Sequence, residues 1–145
     1  MSGPAFVLDN SVAMRWLLND GSGADLRYAH SVLGHIARDA ARPHGPSTLP
    51  LEAANVIARA EARGLLSQAR SAAFIELLDR LQIELDVETA RRALSDTLAL
   101  SRRFGLSSYD ASYLELALRR GLPLATLDTA LRAACGQTDV PVYAQ

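Results

Sequence analysis

Two short, uninterrupted apolar runs lie near opposite ends of the chain, at residues 5–8 and 122–127. Both runs are too short to be helices, and turn-forming residues bound them. Continuous apolar runs of this length are typical of strands that are buried on both faces of a parallel sheet. The pattern therefore predicts two parallel strands.

Between these runs, apolar residues recur at helical spacing along most of the chain. The spacing predicts helices at residues 9–18, 22–38, 49–63, 67–81, 87–104 and 108–120. Residues 42–46, with the sequence RPHGP, are predicted as a loop, and residues 83–85 and 140–143 as further short strands. Strands that alternate with helices indicate an α/β sandwich with a small, mostly parallel sheet.

Length and composition narrow the class of protein. A chain of 145 residues, 49% hydrophobic and 21% charged, is expected to form one domain over residues 1–145. The single cysteine, Cys135, excludes an intramolecular disulfide and a thiolate zinc site, and we expect it to be a small buried hydrophobe. Neither a signal peptide nor a membrane-spanning run is expected, so the cytoplasm is the expected location. A net charge of −1 means that any nucleic-acid partner must be bound locally.

Both clear apolar runs end at an aspartate, the first at Asp9 and the second at Asp128. Ligands of open parallel sheets bind beyond the carboxyl ends of the strands, so these two positions are candidates for function. The alternative is that each aspartate caps the helix that follows it by accepting a backbone N–H. Taken singly, each aspartate is explained more simply as a cap.

Asp110 is harder to explain in this way, because a helical wheel places it in the middle of the apolar face of its predicted helix. The residues that flank it there are apolar, namely Leu114, Ala117 and Leu118. The opposite side is predicted to face solvent, and it carries Ser112, Glu115 and Arg119. A capping box with Ser107 explains an acid in the first turn. It does not explain an acid that faces the sheet, where a carboxylate must be paired, protonated or bound to a metal.

A fourth acid, Glu52, lies in the first turn of a predicted helix and borders its apolar stripe. Alone, Glu52 would be a surface acid that complements the helix dipole, and Asn55 a surface amide. Together, however, an acid at the end of each strand and one in the first turn of each of two helices can converge on one edge of the sheet. Converging carboxylates repel one another unless cations neutralise them or some stay protonated.

The chemistry of such a cluster follows from its ligand atoms. Oxygen ligands, without thiolates and without histidines at metal-ligand spacing, select a hard ion such as Mg²⁺ or Mn²⁺. These ions keep bound waters and bind phosphate oxygens, so the pattern indicates metal-assisted hydrolysis of a phosphodiester. The three histidines are expected to be solvated or hydrogen-bonded, because no pair of them has the spacing of metal ligands.

Four segments carry a resemblance to a known family: residues 7–12 (VLDNSV), 50–56 (PLEAANV), 109–114 (YDASYL) and 124–128 (LATLD). In order and separation they resemble the four motifs of PIN-domain proteins, and the chain is similar in particular to the VapC ribonuclease toxins of bacterial toxin–antitoxin pairs. The similarity covers essentially the whole chain. It implies a three-layer α/β/α sandwich, Mg²⁺-dependent endoribonuclease activity on RNA, a homodimer and a cognate VapB-type antitoxin.

The resemblance also implies roles for individual residues. The acidic positions of the family are matched by Asp9, Glu52, Asp110 and Asp128. These four residues are expected to be catalytic and to bind one or two Mg²⁺ ions, for which Mn²⁺ would substitute. Ser11 matches the small hydroxyl two residues after the first acid, and Thr126 the hydroxyl before the last. Both hydroxyls are expected to lie at the substrate.

Several arginines and the tryptophan have two interpretations each. Arg15 and Trp16 follow Asp9 by about one turn, and they could bind a phosphate of the substrate and stack on a base. Alternatively, Trp16 belongs to the core and Arg15 is a surface residue or an antitoxin contact. Arg119 and Arg120, at the end of the last predicted helix, are expected to complement its dipole.

Two other functions stay open at this point. One is a non-catalytic PIN-like module that binds a protein partner and whose acids cap helices. The other is a metal-dependent nuclease that acts on DNA, because metal chemistry at a phosphate does not depend on the sugar. If the chain is a toxin, its antitoxin is expected to cover the acidic groove with a basic side chain facing the carboxylates.

Overall fold

Strands and helices alternate along residues 3–144, which are the residues described by a computed structural model of the chain. The four strands of this part are β1 (Ala5–Leu8), β2 (Arg42–Pro46), β3 (Glu84–Asp86) and β4 (Leu124–Ala125). Its α-helices are α1 (Asn10–Leu18), α2 (Gly23–Ala37), α3 (Leu49–Ala62), α4 (Gln68–Leu81), α5 (Thr89–Arg92), α6 (Leu98–Phe104), α7 (Ser108–Arg120) and α8 (Thr129–Gly136). A π-helical turn, Ala93–Thr97, joins α5 to α6.

The strands form one parallel sheet in the order β3-β2-β1-β4. The chain moves outward from β1 to β2 and β3, and then crosses to the other side of β1 to form β4. The topology therefore reverses between β1 and β4, which is where ligands of such sheets bind. The predicted α/β fold with a small parallel sheet is confirmed.

Alternate side chains of β1 contact helices on opposite faces of the sheet, as the period of a strand requires. Phe6 and Leu8 belong to a buried cluster with Ala29 and Val32 of α2. Val7 belongs to a second cluster, whose other buried members come mainly from α7 and α8. The sheet is thus covered on both sides, and residues Phe6, Val7 and Leu8 of β1 are buried between two helical layers. No helix within residues 3–144 is long and apolar enough to cross a membrane.

The prediction of a loop at residues 42–46 is wrong, because this segment is strand β2 and lies between β1 and β3. Pro43 and Pro46 cannot donate to a sheet ladder, which is why the sequence indicates a loop. The strand forms nevertheless, since Arg42 donates its N–H to the Pro4 carbonyl and four of the five residues are buried in the core. A Cβ at Gly45 would lie 2.7 Å from Leu49 Cδ1, so a larger residue here would displace the Leu49 side chain.

Other predicted elements keep their positions with shifted ends. The predicted strand at 122–127 is only two residues long as β4, and residues 140–143 contribute a single parallel bridge from Val142 to Leu124. The predicted helix at 87–104 is interrupted by the π-helical turn. Helical spacing does not predict α8, although the cap interpretation of Asp128 implies a helix at this point. Cys135 is a buried hydrophobe of α8, as expected.

The predicted solvent face of α7 is wrong, because Ser112 and Glu115 are buried and Arg119 is largely covered. Arg119 forms ion pairs with Asp86 at 2.6 Å, with Glu115 at 2.8 Å and with Glu88 at 3.2 Å. The wheel of one helix includes neither the π-helical turn and α6, which pack against α7, nor Asp86 and Glu88, which pair with Arg119. The arginine therefore binds three carboxylates instead of only complementing the dipole of its helix.

This ionic cluster leads to a prediction about stability. Replacing Arg119 by Ala leaves Asp86 and Glu115, whose side chains are 7% and 5% exposed, without their main cation. We expect Arg119→Ala to lower the free energy of unfolding in urea by about 3 kcal/mol, because uncompensated buried carboxylates are strongly destabilising. Arg91→Ala is the matched control, since Arg91 is 80% exposed and its contact with Glu88 is 3.9 Å long. A loss no larger than that of the control would show that the ion pairs of Arg119 do not stabilise the fold.

Candidate active site

The predicted site residues come from segments that end at the carboxyl edge of the sheet, close to the reversal between β1 and β4. Asp9 directly follows β1, and Thr126 directly follows β4. The two strands are in register as far as Leu8 and Ala125, and the Asp9 N–H donates to the Ala125 carbonyl at 2.9 Å. Asp9 and Thr126 are therefore adjacent, although 117 positions separate them in the chain.

Asp9 occupies the N-cap position of α1, but its side chain accepts no backbone N–H there, so the predicted capping hydrogen bond is absent. Its side chain is 3% exposed, and its Oδ2 accepts hydrogen bonds from Ser11 Oγ at 2.5 Å and from Thr126 Oγ1 at 2.8 Å. Among the described residues, its Oδ1 accepts none. The two predicted hydroxyls thus hold one oxygen of the carboxylate and leave the other available to a ligand.

The same two hydroxyls connect Asp9 to the turn after β4. Ser11 Oγ accepts a hydrogen bond from the Leu127 N–H at 3.0 Å, and Thr126 Oγ1 accepts one from the Asp128 N–H at 3.0 Å. Each hydroxyl donates to Asp9 and accepts from a backbone amide, so its orientation is fixed. Ser11 and Thr126 are therefore positioning residues for Asp9 in this structure, whereas their predicted contact with substrate stays a prediction.

Asp128 combines both interpretations that the sequence allowed. Its Oδ2 accepts the Leu131 N–H at 2.9 Å, which confirms it as the N-cap of α8. Its charge also raises the pKa of Asp9 and Asp110. A helix cap uses only one carboxylate oxygen, so the two roles do not exclude each other.

Glu52 lies in the first turn of α3, as predicted, and it is held by a residue that the sequence pattern did not single out. Tyr113 of α7 is completely buried, and its hydroxyl donates to Glu52 Oε1 at 3.0 Å. Burial, together with the charges of Asp9 and Glu52, raises the pKa of this phenol, which keeps it a hydrogen-bond donor. The sequence does hold a signal for it, because Tyr113 follows Asp110 by three residues and so lies on the same side of α7.

Asp110 occupies the first turn of α7 and is half-buried. Its backbone N–H donates to Ser107 Oγ at 3.1 Å, which confirms Ser107 as the N-cap. Burial and the charge of Asp128 raise the pKa of Asp110, and a hydrogen bond from Ser107 to the Asp110 carboxylate opposes the rise. In the first turn of α7, Asp110 therefore has its backbone N–H bound by the N-cap residue and its carboxylate repelled by Asp128.

The pKa shifts show that the four acids share one electrostatic environment. Burial raises the pKa of Asp9 to about 6 against the effect of its two hydroxyl donors, and the charges of Asp110 and Asp128 raise it further. Burial also raises the pKa of Glu52 to about 7, with the Tyr113 hydrogen bond opposing and the charges of Asp9 and Asp110 adding to the rise. Such coupling requires that the carboxylates lie near one another in a poorly screened region.

The acids are nevertheless not assembled as a complete set of metal ligands. Within residues 3–144, no three side chains of His, Cys, Asp or Glu are close enough together to hold a metal ion as they stand. The available oxygens are Asp9 Oδ1, Glu52 Oε2 and Asp128 Oδ1, none of which accepts a hydrogen bond from the described residues. The structure therefore brings the predicted acids near one another, without direct mutual contact.

The other predicted residues lie apart from this centre. Arg15 pairs with Asp20 at 2.7 Å and donates to the Asp20 carbonyl, so its side chain is engaged at the far end of α1 and not at the four acids. Trp16 is half-buried, contacts two apolar clusters and donates its Nε1–H to the Ala29 carbonyl at 2.8 Å, which favours the core interpretation. His44 is buried, and burial and the charge of Arg120 lower its pKa.

Comparisons with known proteins agree on the family of this chain. A family model described as the PIN domain matches residues 6–137. Ribonuclease VapC3 of Pyrobaculum aerophilum is 35% identical over 80 residues, which cover 55% of this chain and 61% of that protein. The chain therefore spans less than two thirds of the length of this curated relative. The crystal structure of PAE2754 from Pyrobaculum aerophilum matches with a TM-score of 0.59 and 25% identity, covering 92% of this chain and 86% of that chain.

The raised pKa of Asp9 predicts how the stability of the metal-free protein depends on pH. An ordinary aspartate, as in the unfolded chain, has a pKa of 3.8, whereas that of folded Asp9 is about 6. The folded state thus binds more protons between these values, and the contribution of Asp9 is lost as the pH rises from about 4 through about 6.

We therefore expect Asp9→Asn to stabilise the metal-free protein at pH 8 by about 1–3 kcal/mol and to have little effect near pH 4. Urea unfolding in EDTA at both pH values measures this difference. Asp79→Asn is the control, because Asp79 is an exposed aspartate of α4. If Asp9→Asn were destabilising at pH 8, the carboxylate would be stabilising in place and the repulsion would be absent.

Proposed function

The chain belongs to the PIN domain family, and from this premise we propose that it is a Mg²⁺-dependent endoribonuclease of the toxin type. The observation that carries the proposal is the placement of Asp9, which is buried at the end of β1, held by Ser11 and Thr126, and within the electrostatic reach of Asp110 and Asp128. A protein that served only as a scaffold would have no reason to bury Asp9 beside two other aspartates. The name of the 35% identical relative, a ribonuclease, supports RNA as the substrate.

The residues at this edge fit a hard divalent cation. Every candidate ligand atom is a carboxylate oxygen, and three of these oxygens accept no hydrogen bond from the described residues. Mg²⁺ commonly takes one or two carboxylates and keeps several waters, so the acids need not all touch one ion. We propose that Asp9, Glu52, Asp110 and Asp128 hold one or two Mg²⁺ ions, for which Mn²⁺ substitutes. When bound, the cation would supply charge neutralisation and water activation for phosphodiester hydrolysis.

The protein's own groups prepare this site in three ways. Ser11 and Thr126 fix one oxygen of Asp9, so the other is presented in a constant position. Tyr113 does the same for Glu52 from α7, which links the two helices that carry acids. The core behind Asp9 excludes water, so that its charge is poorly screened and acts strongly on a bound cation.

The partners follow from the same proposal. We propose that the chain binds RNA at the acidic edge, acts as a homodimer in the cytoplasm and is neutralised by a cognate VapB-type antitoxin. The VapC name of the relative supports the antitoxin. Arg15 lies in the last turn of α1, away from the acids, and we propose that it contacts a more distant RNA phosphate after its side chain leaves Asp20.

Cleavage of RNA tests the proposed activity directly. We expect the purified protein to cut structured RNA in Mg²⁺ or Mn²⁺ and to stop in EDTA, and Asp9→Asn to lower the rate at least about 100-fold, because a preorganised charge is lost. DNA oligonucleotides of the same sequence serve as the comparison for the sugar. Equal cleavage by the parent protein and by Asp9→Asn would exclude this site as the origin of the activity.

Calorimetry with Mn²⁺ distinguishes the enzyme from a non-catalytic protein-binding module. The lack of three preassembled ligands among residues 3–144 is the observation that favours a module. An enzyme should bind Mn²⁺ and gain thermal stability from it, and both effects should be lost in Asp9→Asn. No binding and no stabilisation in the parent protein would favour the module.

The regulatory partner gives a separate prediction. If a small protein encoded next to this gene is co-purified with the chain, we expect it to bind over the acidic groove and to protect RNA from cleavage. Binding should weaken about 10-fold or more when the basic side chain of the partner that faces the acids is replaced, because such charge pairs contribute strongly to affinity. A neighbouring protein that bound without blocking either Mn²⁺ or RNA would contradict the prediction.

A further inference from the structure

A cavity of about 480 Å³ lies between the first turns of α3 and α7, beside the acids. Glu52 and Asp110 form part of its wall, so it is continuous with the proposed catalytic edge. Its remaining lining is neutral and consists of Asn10, Thr48, Leu51, Asn55, Val56, Ser107 and Tyr109. We call this space the Asn10 cavity. Its volume is within the usual range for small-molecule and cofactor sites.

Two residues that line the Asn10 cavity carry polar atoms that have no partner. Within residues 3–144, Asn10 Oδ1 and Thr48 Oγ1 are both buried and form no hydrogen bond. Asn10 is only 8% exposed, so solvent does not readily replace the missing partner. Buried polar atoms in folded proteins are almost always hydrogen-bonded, and two exceptions in one wall indicate a ligand that supplies the bonds.

The rim of the Asn10 cavity carries an aromatic ring that the fold does not use. Tyr109 is 59% exposed, in contrast to Tyr113 four residues later, which is completely buried. Leu51, on the α3 side, is also mostly exposed. A planar ligand that entered between these side chains would be covered on its faces by apolar and aromatic groups, as unstacked bases commonly are in RNA-binding proteins.

The chemistry of the lining distinguishes between possible occupants. A phosphate is disfavoured, since Glu52 and Asp110 would repel it from the wall that they share with the acids. An arginine or lysine side chain offers donors only, so it could pair with Glu52, Asp110 and Asn10 Oδ1 but would not use the N–H donors of the Asn10 and Asn55 amides. The edge of a nucleobase carries donors and acceptors together, which is what a pair of amides and a hydroxyl can recognise.

We propose that the Asn10 cavity binds one unpaired nucleobase of the RNA, next to the phosphodiester that is cut at the acids. This proposal rests on the proposed function, and it assigns base selectivity to residues outside the four acids. Tyr109 stacks on the base, and Asn10 and Asn55 read its edge. The base so held positions the adjoining phosphate at the acidic edge.

Binding of free nucleosides tests the cavity without any cleavage. Each of the four nucleosides is titrated into metal-free, ¹⁵N-labelled protein, and the side-chain amide signals of Asn10 and Asn55 are followed. We expect saturable shifts with at least one nucleoside, unequal affinity among the four, and no shifts with ribose 5-phosphate. If N-acetylarginine amide shifts these signals and no nucleoside does, the cavity accepts a cationic side chain of a protein partner and the proposal is wrong.

Kinetics on modified RNA provides the second test. We expect Tyr109→Ala to lower kcat/KM for RNA about 10-fold or more, because loss of a stacking ring weakens binding of a base. Tyr109→Phe, which keeps the ring, should cleave within about twofold of the parent. An abasic residue, placed in turn on either side of the cut, should slow cleavage by the parent protein at one of the two positions. At that position it should not slow cleavage by Tyr109→Ala any further.

The two tests separate failure of this proposal from failure of the proposed function. If RNA is cut but Tyr109→Ala is unimpaired and nucleosides do not bind, the nuclease stands and the Asn10 cavity is not a base site. If nucleosides bind as expected but neither RNA nor DNA is cut, the cavity stands and the proposed hydrolysis is wrong. Equal slowing of abasic and intact RNA by Tyr109→Ala would also overturn the stacking role.

Discussion

The burial of Asp9 beside other carboxylates is the constraint on which the functional edge of this molecule depends. Asp9 loses most of its hydration and lies within the electrostatic reach of Asp110 and Asp128. Neither change favours the ionised form, so the folded metal-free protein holds a charge that it would be more stable without. Residues that destabilise a fold in this way are common at functional sites, where binding of a ligand compensates for them.

The rest of the structure keeps these acids in place despite their repulsion. Strand β1 is buried between two helical layers and fixes the backbone of Asp9, while the Ser11 and Thr126 hydroxyls fix its carboxylate. At the other side, Tyr113 reaches from α7 to Glu52. The ion pairs of Arg119 join α7 to β3 and α5, far from any acid of the site. Helix α7 thus carries a candidate catalytic residue, Asp110, in its first turn and the ion-paired Arg119 in its last turn.

Much of the fold could be predicted from the sequence because the signals concerned are local. The apolar run of β1, the helical spacing of most helices and the caps formed by Ser107 and Asp128 act over a few residues, and the structure agrees with them. The four acids were recognisable for a related reason. Two of them end apolar runs and two lie in first turns, and a parallel sheet brings such positions to the same edge.

Only the tertiary structure decided the features that depend on distant neighbours. The segment at 42–46 is a strand because β1 and β3 flank it, although its two prolines argue against a strand. Arg119 is paired with Asp86 of β3 and with Glu88, which a wheel of one helix cannot include. Tyr113, the hydrogen-bond partner of Glu52, lies 61 positions away in the chain. That Asn10 Oδ1 has no hydrogen-bond partner can be seen only from the structure around it. Composition and periodicity determined which residues are apolar, capped or acidic, whereas packing determined which of them meet, because contact between distant segments depends on the whole arrangement of the chain.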